Sequence, residues 1–226
     1  MIESIINGKV IGECYAHGNR LRGMAKNGVQ FFEKLYPLTN LITNGSFEAN
    51  ANGWSGNSAP QRVALPTPVH GEDGNWCGYF SGNVNTSAGG TLGTACFSDV
   101  TNNINTIIGN KYYLRCLVRI GNVNVIGAMF KNGTATNSPV IGTELPTPLI
   151  NEWKLLDTIW TADLNTLHFS LHFNPIPGNM ARIYWFDDAM MINLTQAFDA
   201  GYEPDLAKIR EIVASKGGYW DGTTHY

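Results

Sequence analysis

The stretch Leu41-Ile42-Thr43-Asn44-Gly45-Ser46-Phe47-Glu48, with Asn52-Gly53-Trp54 after it, opens a long series of short apolar segments. Trp185-Phe186-Asp187-Asp188-Ala189-Met190-Met191 closes that series. Gly, Asn, Pro and Thr residues separate the segments between them, as turns separate short β-strands. If the first and last segments join one antiparallel sheet, Glu48 and Asp187 come together. We therefore predict a β-domain between these bounds, with a cation held by its two ends.

The composition favours a turn-rich globular protein. Of the 226 residues, 43% are hydrophobic and 15% are charged, which is enough for a core and too apolar for disorder. The 25 glycines, many of them in Asn-Gly and Gly-Asn pairs, favour β-turns. The net charge is −3, and the basic residues are scattered. We therefore expect no nucleic-acid binding.

Targeting signals and cysteine spacing bear on membrane insertion, secretion and disulfide bonding. No run approaches the roughly 18–20 apolar residues that cross a bilayer, so we expect no membrane insertion. Met1-Ile2-Glu3-Ser4 has neither a basic nor a long apolar stretch, and we expect no secretory signal. We expect the cysteines to be buried free thiols, the alternative being a Cys77–Cys96 disulfide, and their spacing does not suit zinc. The four cysteines are Cys14, Cys77, Cys96 and Cys116.

The chain divides into three predicted regions. Residues 1–38 form a small N-terminal β element, because Asn7-Gly8, Gly18-Asn19 and Asn27-Gly28 are tight-turn signals between short apolar runs. Residues 40–195 form the main domain. Residues 196–226 contain a helix from Asp205 to Ser215 and a tail. The helix carries one apolar stripe, which must dock on another surface: Leu206, Ile209, Ile212 and Val213.

The main domain is predicted to be all-β. Lys111–Ile120 alternates, with Tyr112, Leu114, Cys116 and Val118 on one face and Tyr113, Arg115, Leu117 and Arg119 on the other. Leu167–Phe173 alternates as well, with its two histidines pointing outward. We also predict strands at Trp76–Ser81, Thr94–Val100, Val123–Lys131, Trp153–Thr161 and Ala181–Asn193. This many strands, with no helix pattern between them, predicts a two-sheet jelly-roll sandwich.

The segments at the two ends of this domain resemble a known family. Asn44-Gly45-Ser46-Phe47-Glu48 with Gly53-Trp54, and Tyr184–Met191, are similar to the opening and closing strands of jelly-roll carbohydrate-binding modules attached to glycosidases. The resemblance implies a structural calcium held by Glu48, Asp187 and the carbonyl of Gly45, with Glu72 or Asp73 as a further ligand. In the alternative, Glu48 accepts backbone hydrogen bonds at a strand end, and Asp188 is solvated.

The C-terminal region resembles a second group of proteins. Asn193–Pro204, a helix and Tyr219-Trp220-Asp221-Gly222 are similar to the ends of bacteriophage minor structural proteins. Asp199 and Tyr202 depart from the usual pattern, which has Gly and Asn there. The resemblance implies a virion component, of the tail, baseplate or a fibre, assembled in the host cytoplasm. Apolar surface on the small terminal pieces predicts contacts with other virion subunits, or a homo-oligomer such as a trimer. In the alternative, both pieces cap the open edges of the jelly roll.

Sugar binding requires aromatic rings and polar groups on an outward sheet face, because sugar rings stack on aromatics and their hydroxyls form hydrogen bonds. Tyr113, Arg115 and Arg119 on one strand, and His168 and His172 on another, are the candidates. Trp54, Trp76 and Trp153 are candidates for the rim. In the alternative, the tryptophans belong to the core, and the arginines form a solvated face. A transition-metal site at the histidines lacks a third ligand.

No catalytic pattern is present. Asp187 and Asp188 are adjacent, and successive strand residues point to opposite faces, so they cannot flank one scissile bond. No nucleophile elbow or metalloprotease motif occurs. We therefore expect no enzymatic activity. Together, the two resemblances imply a phage structural protein that binds host-surface carbohydrate. The alternatives are a decoration or fibre subunit without sugar binding, and an accessory module of a cellular glycosidase.

Overall fold

The structure of the chain is a computed structural model. It describes residues 4–6, 9–11, 15–16, 19–20, 23–26, 29–33, 36–54, 61–67, 69, 74–83, 104–121, 125–132, 139–146, 150–167, 169–175 and 181–226. The chain divides into two compact units, one of residues 1–37 with 225–226, and one of Leu38–Thr224. None of the helices among the described residues is long and apolar enough to cross a membrane.

The elements follow one another in chain order. The strands are β1 Ser4–Ile6, β2 Lys9–Ile11, β3 Tyr15–Ala16, β4 Asn19–Arg20, β5 Gly23–Lys26, β6 Val29–Glu33, β7 Pro37–Thr39, β8 Gln61–Ala64, β9 Trp76–Asn83, β10 Ile104–Asn105, β11 Lys111–Ile120, β12 Val125–Asn132, β13 Val140–Pro146, β14 Trp153–Thr161, β15 Thr166–Leu167, β16 Phe169–Pro175, β17 Ala181–Asn193 and β18 Thr223–His225. The helices are α1 Leu194–Phe198 and α2 Leu206–Ser215. The predicted strand Thr94–Val100 lies outside the described residues.

The first unit consists of antiparallel hairpins. β1 pairs with β2, β3 with β4, and β5 with β6. Asn7-Gly8 and Asn27-Gly28 fall between the strands of the first and third pairs, whereas Asn19 of Gly18-Asn19 is the first residue of β4. The predicted small N-terminal β element is therefore present at the level of the backbone.

The second unit is a two-sheet sandwich of the predicted jelly-roll class. One sheet has the order β14-β11-β17-β9-β8, and the other has the order β13-β12-β16. Both sheets contribute to one hydrophobic core, in which Leu114 and Phe186 of the larger sheet join Phe130 and Leu171 of the smaller one. Phe47 and Trp54 of the opening segment complete this core, and their rings pack against Phe186 at centroid distances of 5.1 and 5.5 Å.

The helix α2 lies where the sequence predicts it. Asp205 caps its N-terminus by accepting a hydrogen bond from the amide of Lys208 at 2.8 Å. Ile209, Ile212 and Val213 are buried, so the apolar stripe of the helix is docked, as it must be for so short a helix to persist.

Candidate functional site

The outer face of the larger sheet is where the sequence places the sugar-binding residues. Its alternation is as predicted, because Tyr112, Leu114, Cys116 and Val118 of β11 all belong to the core. The opposite side of β11 therefore faces outward from the sandwich. That side is nevertheless buried, since Tyr113, Arg115 and Arg119 are 0%, 2% and 4% exposed. The expectation that these three side chains form an open face is wrong.

The C-terminal segment covers Tyr113 and Arg115. Arg115 donates a hydrogen bond to the carbonyl of Gly218 at 2.5 Å. Tyr113 donates to Asp157 at 3.1 Å, and the same carboxylate accepts two hydrogen bonds from Arg210 of α2. Burial, followed by the charge of Asp157, raises the pKa of Tyr113 well above its ordinary value. Both side chains therefore support the docked helix and are not accessible to a sugar.

Arg119 is covered from another direction. Its guanidinium donates to the carbonyls of Pro66 and Thr67 at 3.0 and 2.9 Å, in the loop that follows β8. Trp76 is half-buried, and the guanidinium of Arg62 lies 3.6 Å from the centroid of its ring. Arg62 thus occupies one face of the Trp76 ring by a cation–π contact.

The remaining sugar-binding candidates divide into two groups. His168 and the side chain of His172 lie outside the described residues, although the backbone of His172 pairs with Met129 in the smaller sheet. Trp54 is 8% exposed and belongs to the core, so it does not line a rim. Its indole donates to the carbonyl of Asn44 at 2.9 Å, which fixes the opening turn.

A row of mainly aromatic residues crosses the larger sheet, and its members are aligned by the pairing of the strands. Tyr79 pairs with Trp185, Trp185 pairs with Arg119, and Arg119 pairs with Trp153. Directly paired residues of antiparallel strands project from the same face, so these four side chains form one line, named here the aromatic row. Tyr79, Trp185 and Trp153 are all partly exposed. The row therefore presents aromatic surface to solvent on the outer face.

Sequence reasoning missed the row because it depends on register. Trp185 and Tyr79 each lie between core residues, Tyr184 and Phe186 in one case and Gly78 and Phe80 in the other. That alternation is a signal that both rings point outward. Only the pairing of the strands shows that they are neighbours, with ring centroids 5.5 Å apart.

Glu48 takes a structural role at the end of the opening segment. Its Oε1 accepts hydrogen bonds from the amides of Asn75 and Trp76 at 2.8 and 2.9 Å, where β9 begins. A Cβ atom on Gly74, which has φ +93°, would lie 2.2 Å from that oxygen. The backbone hydrogen bonds of the alternative interpretation are therefore present.

Asp187 and Asp188 are both fully buried, so the expectation that Asp188 is solvated is wrong. Between Arg115–Met190 and Leu117–Asp187 the register shifts by one residue, which is a β-bulge in β17. Asp188 has φ 51° within this bulge, so strict alternation does not hold there. Because neither carboxylate reaches solvent, the pair cannot act as acid and base on a surface-bound substrate.

The predicted calcium ligands fit a cation in part. Burial first, and then the charge of Asp187, raise the pKa of the Cys77 thiol; the charge of Arg119 lowers it, and the charge of Glu48 makes the smallest contribution. The carbonyl of Gly45 accepts a hydrogen bond from the amide of Ala189 at 3.1 Å, beside Asp188 in the chain. Two carboxylates and a carbonyl are hard oxygen donors of the kind calcium takes. Within the described ranges no three His, Cys, Asp or Glu side chains form a metal-binding group, and Glu72 and Asp73 lie outside those ranges.

The buried thiols are unsuited to nucleophilic catalysis. Cys77 and Cys116 are free and buried. Burial raises the pKa of both, so neither is a thiolate at neutral pH. Cys14 and Cys96 lie outside the described residues. Because Cys77 is a free thiol, the alternative Cys77–Cys96 disulfide is wrong.

Carbohydrate-binding modules are among the solved structures to which the chain is similar. No protein-family model matches the chain, and no curated protein matches it. Among solved structures, a family 16 carbohydrate-binding module is 15% identical, with a TM-score of 0.44 over 67% of this chain and 99% of the module. TmCBM61 in complex with beta-1,4-galactotriose is also 15% identical, with a TM-score of 0.45 over 68% and 98%.

A phage protein is among the similar structures as well. The enzymatically active domain of tailspike protein 4 of bacteriophage CBA120 is 12% identical, with a TM-score of 0.40. This match covers 68% of the present chain and 21% of the tailspike chain. Identities and TM-scores this low carry no conclusion about ligand, activity or origin. The chain has the all-β sandwich class of these proteins, and its function must be argued from its own residues.

Proposed function

We propose that this chain is a non-enzymatic component of a bacteriophage particle that binds carbohydrate on the host surface. The observation that carries the carbohydrate part is the aromatic row on the outer face of the larger sheet. The row contains Tyr79 and Trp185 on adjacent strands and Trp153 on the far side of Arg119, and all three rings are partly exposed.

The row suits a sugar for physical reasons. The carbon-bound hydrogens of a sugar ring form an apolar face, which packs on the surface of Tyr and Trp side chains. Tyr79 and Trp185 lie on adjacent strands, about 4.8 Å apart, so their two rings form one strip of apolar contact. Trp153 adds a third ring two strands away from Trp185, with Arg119 between them. The strip lies on sheet strands and not on loops, which keeps its geometry fixed.

The assignment to a particle rests on the C-terminal region. The resemblance of Asn193–Pro204 and Tyr219–Gly222 to the ends of phage minor structural proteins supports it. We propose that the chain assembles in the host cytoplasm, contacts other virion subunits and forms a homo-oligomer such as a trimer. Immunogold labelling of purified particles at one fixed position would support this proposal. Recovery of the protein only in the particle-free fraction would contradict it.

Substitution of Tyr79 by alanine tests the carbohydrate proposal. The wild-type protein should bind members of an array of bacterial surface glycans, with xylohexaose and β-1,4-galactotriose included. Tyr79→Ala removes stacking surface and should weaken that binding about tenfold. Tyr202→Ala is the matched control, because Tyr202 is an exposed tyrosine (57%) outside the row. Affinities come from isothermal titration calorimetry.

A purely structural role is the second candidate. The observation that favours it is the burial of Tyr113 and Arg115 under the C-terminal segment, which leaves that part of the face without ligand access. In this case the wild-type protein binds no glycan on the array. If the wild type binds a glycan but Tyr79→Ala and Tyr202→Ala lose binding equally, the aromatic row is not the binding site.

We also propose that Gly45, Glu48 and Asp187 hold a structural calcium. The hard oxygen donors that these three residues supply, and the resemblance of the two segments that carry them to the opening and closing strands of carbohydrate-binding modules, support the proposal. Binding to the folded state alone stabilises it by about 2.7 kcal/mol when calcium is at 100 times its dissociation constant. Removal of calcium with EDTA should therefore lower the Tm by several degrees, and Glu48→Gln should abolish the difference. A Tm that is the same with calcium and with EDTA would rule out the ion.

A further inference from the structure

We propose that Arg119 and Gly121 are positioning residues that hold the indole of Trp185 in a fixed orientation within the aromatic row. This proposal rests on the proposed function, because Trp185 is taken as a binding residue. It also changes the role of Arg119, which the sequence suggests as a direct sugar ligand.

The donors of Arg119 are directed into the protein. Two nitrogens of its guanidinium donate to the carbonyls of Pro66 and Thr67, and the side chain is 4% exposed. A sugar approaching the row from solvent meets partly exposed rings before it meets this group. Arg119 therefore acts on the protein and not on the sugar.

Three neighbours confine the indole of Trp185. The guanidinium carbon of Arg119 lies over the ring at 5.2 Å from its centroid, which is a cation–π contact. The ring of Tyr79 is inclined by 35° to it at a centroid distance of 5.5 Å. Gly121 leaves space at the far edge, because a Cβ atom there would lie 2.6 Å from Cζ3 of Trp185. A side chain held in this way has little rotamer freedom left to lose.

Arg119 also connects the ring to the loop after β8. The same guanidinium touches Trp185 and fixes Pro66 and Thr67, so the loop and the ring share one support. A rigid binding surface gains affinity, because a side chain that is already ordered loses less rotamer freedom on binding. Loss of the support is therefore expected to lower glycan affinity about 3- to 10-fold.

The test combines glycan binding with a direct probe of the ring. The protein is labelled with 5-fluorotryptophan, and the Trp185 resonance is assigned in the ¹⁹F spectrum by its absence from Trp185→Phe. Arg119→Gln removes the charge and the donors, and Gly121→Ala crowds the ring without changing charge. Arg119→Lys keeps the charge, so its Trp185 resonance and its glycan affinity should lie between those of the wild type and Arg119→Gln. Arg210→Gln is the matched control, because Arg210 lies in α2 against Asp157 and outside the row.

The expected result is a shifted or broadened Trp185 resonance in both Arg119→Gln and Gly121→Ala. Both variants should also bind the strongest array glycan 3- to 10-fold more weakly, while Arg210→Gln resembles the wild type in both measurements. An unmoved resonance in Arg119→Gln overturns the proposal, whether or not binding is lost. If the wild type binds no glycan, the proposed function fails, and the resonance still decides whether Arg119 orients the ring.

Discussion

At the scale of single residues, carboxylates and arginines close to the sheet act on the protein's own backbone. Glu48 accepts from the amides of Asn75 and Trp76, and Arg62 donates to the carbonyls of Phe47 and Glu48. These contacts tie the opening segment to the edge strand β8 and to the start of its neighbour β9. Residue types that suggest a binding site in the sequence therefore also serve as connectors of the fold.

Replacement of Gly74 tests how closely Glu48 is held. Gly74→Ala places a methyl group against Oε1 of Glu48 at a position with φ +93°, so it should lower the free energy of unfolding by about 1–3 kcal/mol. Gly217→Ala is the matched control, because Gly217 has φ +91° and a Cβ there meets nothing within 4 Å. The difference between the two variants in urea denaturation measures the contact with Glu48. Equal destabilisation would mean that backbone strain alone is responsible.

At the scale of elements, α2 functions as a cover for the outer face of the larger sheet. Ile209, Ile212 and Val213 are buried, and the ion pair of Arg210 with Asp157 lies beside them. A polar sheet face that is open in a bare sandwich is thus closed by the chain's own C-terminal segment. The part of the face at the aromatic row keeps its exposed rings.

Truncation of Ile212 should show how strongly this cover is bound. Ile212→Ala removes a side chain that is 1% exposed, and should lower the free energy of unfolding by about 2–5 kcal/mol. Leu206→Ala in the same helix is the control, because Leu206 is only half-buried and should cost about 1 kcal/mol. Thermal and urea denaturation measure both. A loss in Ile212→Ala no larger than in the control would mean that the helix is loosely docked.

The elements were more predictable than the site. β11, β14 and β17 have the predicted bounds, because their apolar alternation is local and strong. The burial of Tyr113 and Arg115 was not predictable. Alternation indicates which face of a strand a residue is on, but it does not indicate whether a segment distant in sequence covers that face. The aromatic row was hidden for a related reason: its members are far apart in sequence and meet only through strand register.

At the scale of the whole molecule, Glu203 connects the segment between the helices to the first residue of β11. Its side chain is 5% exposed and accepts from Thr195, the amide of Gly201 and the ammonium of Lys111. Burial acts to raise the pKa of Glu203, and hydrogen bonds from the backbone, Thr195 and Lys111 outweigh it, so the pKa lies below its ordinary value of 4.5.

The lowered pKa of Glu203 makes stability depend on pH in acid. The folded state binds this proton less readily than the unfolded state, so the contribution is present above pH 4.5 and is lost as the pH falls through the pKa of the folded state. Glu203→Gln should therefore lower the Tm clearly at pH 7 and much less at pH 3. Differential scanning calorimetry at both values checks this. Glu152→Gln, at an exposed ion pair, is the control and should change the Tm little. An equal loss at both pH values would contradict the assignment.

The pairing of β7 with β18 has a consequence for engineering. The backbone N–H of Asn40 donates to the carbonyl of Gly222 at 2.8 Å, and the hydroxyls of Thr39 and Thr223 are 2.8 Å apart. The chain therefore enters and leaves the sandwich at one point. A module with adjacent ends can be spliced into a surface loop of a carrier protein without stretching the host. Residues 38–224 are thus suited to insertion into a display carrier, because both ends of this segment lie in the paired strands β7 and β18.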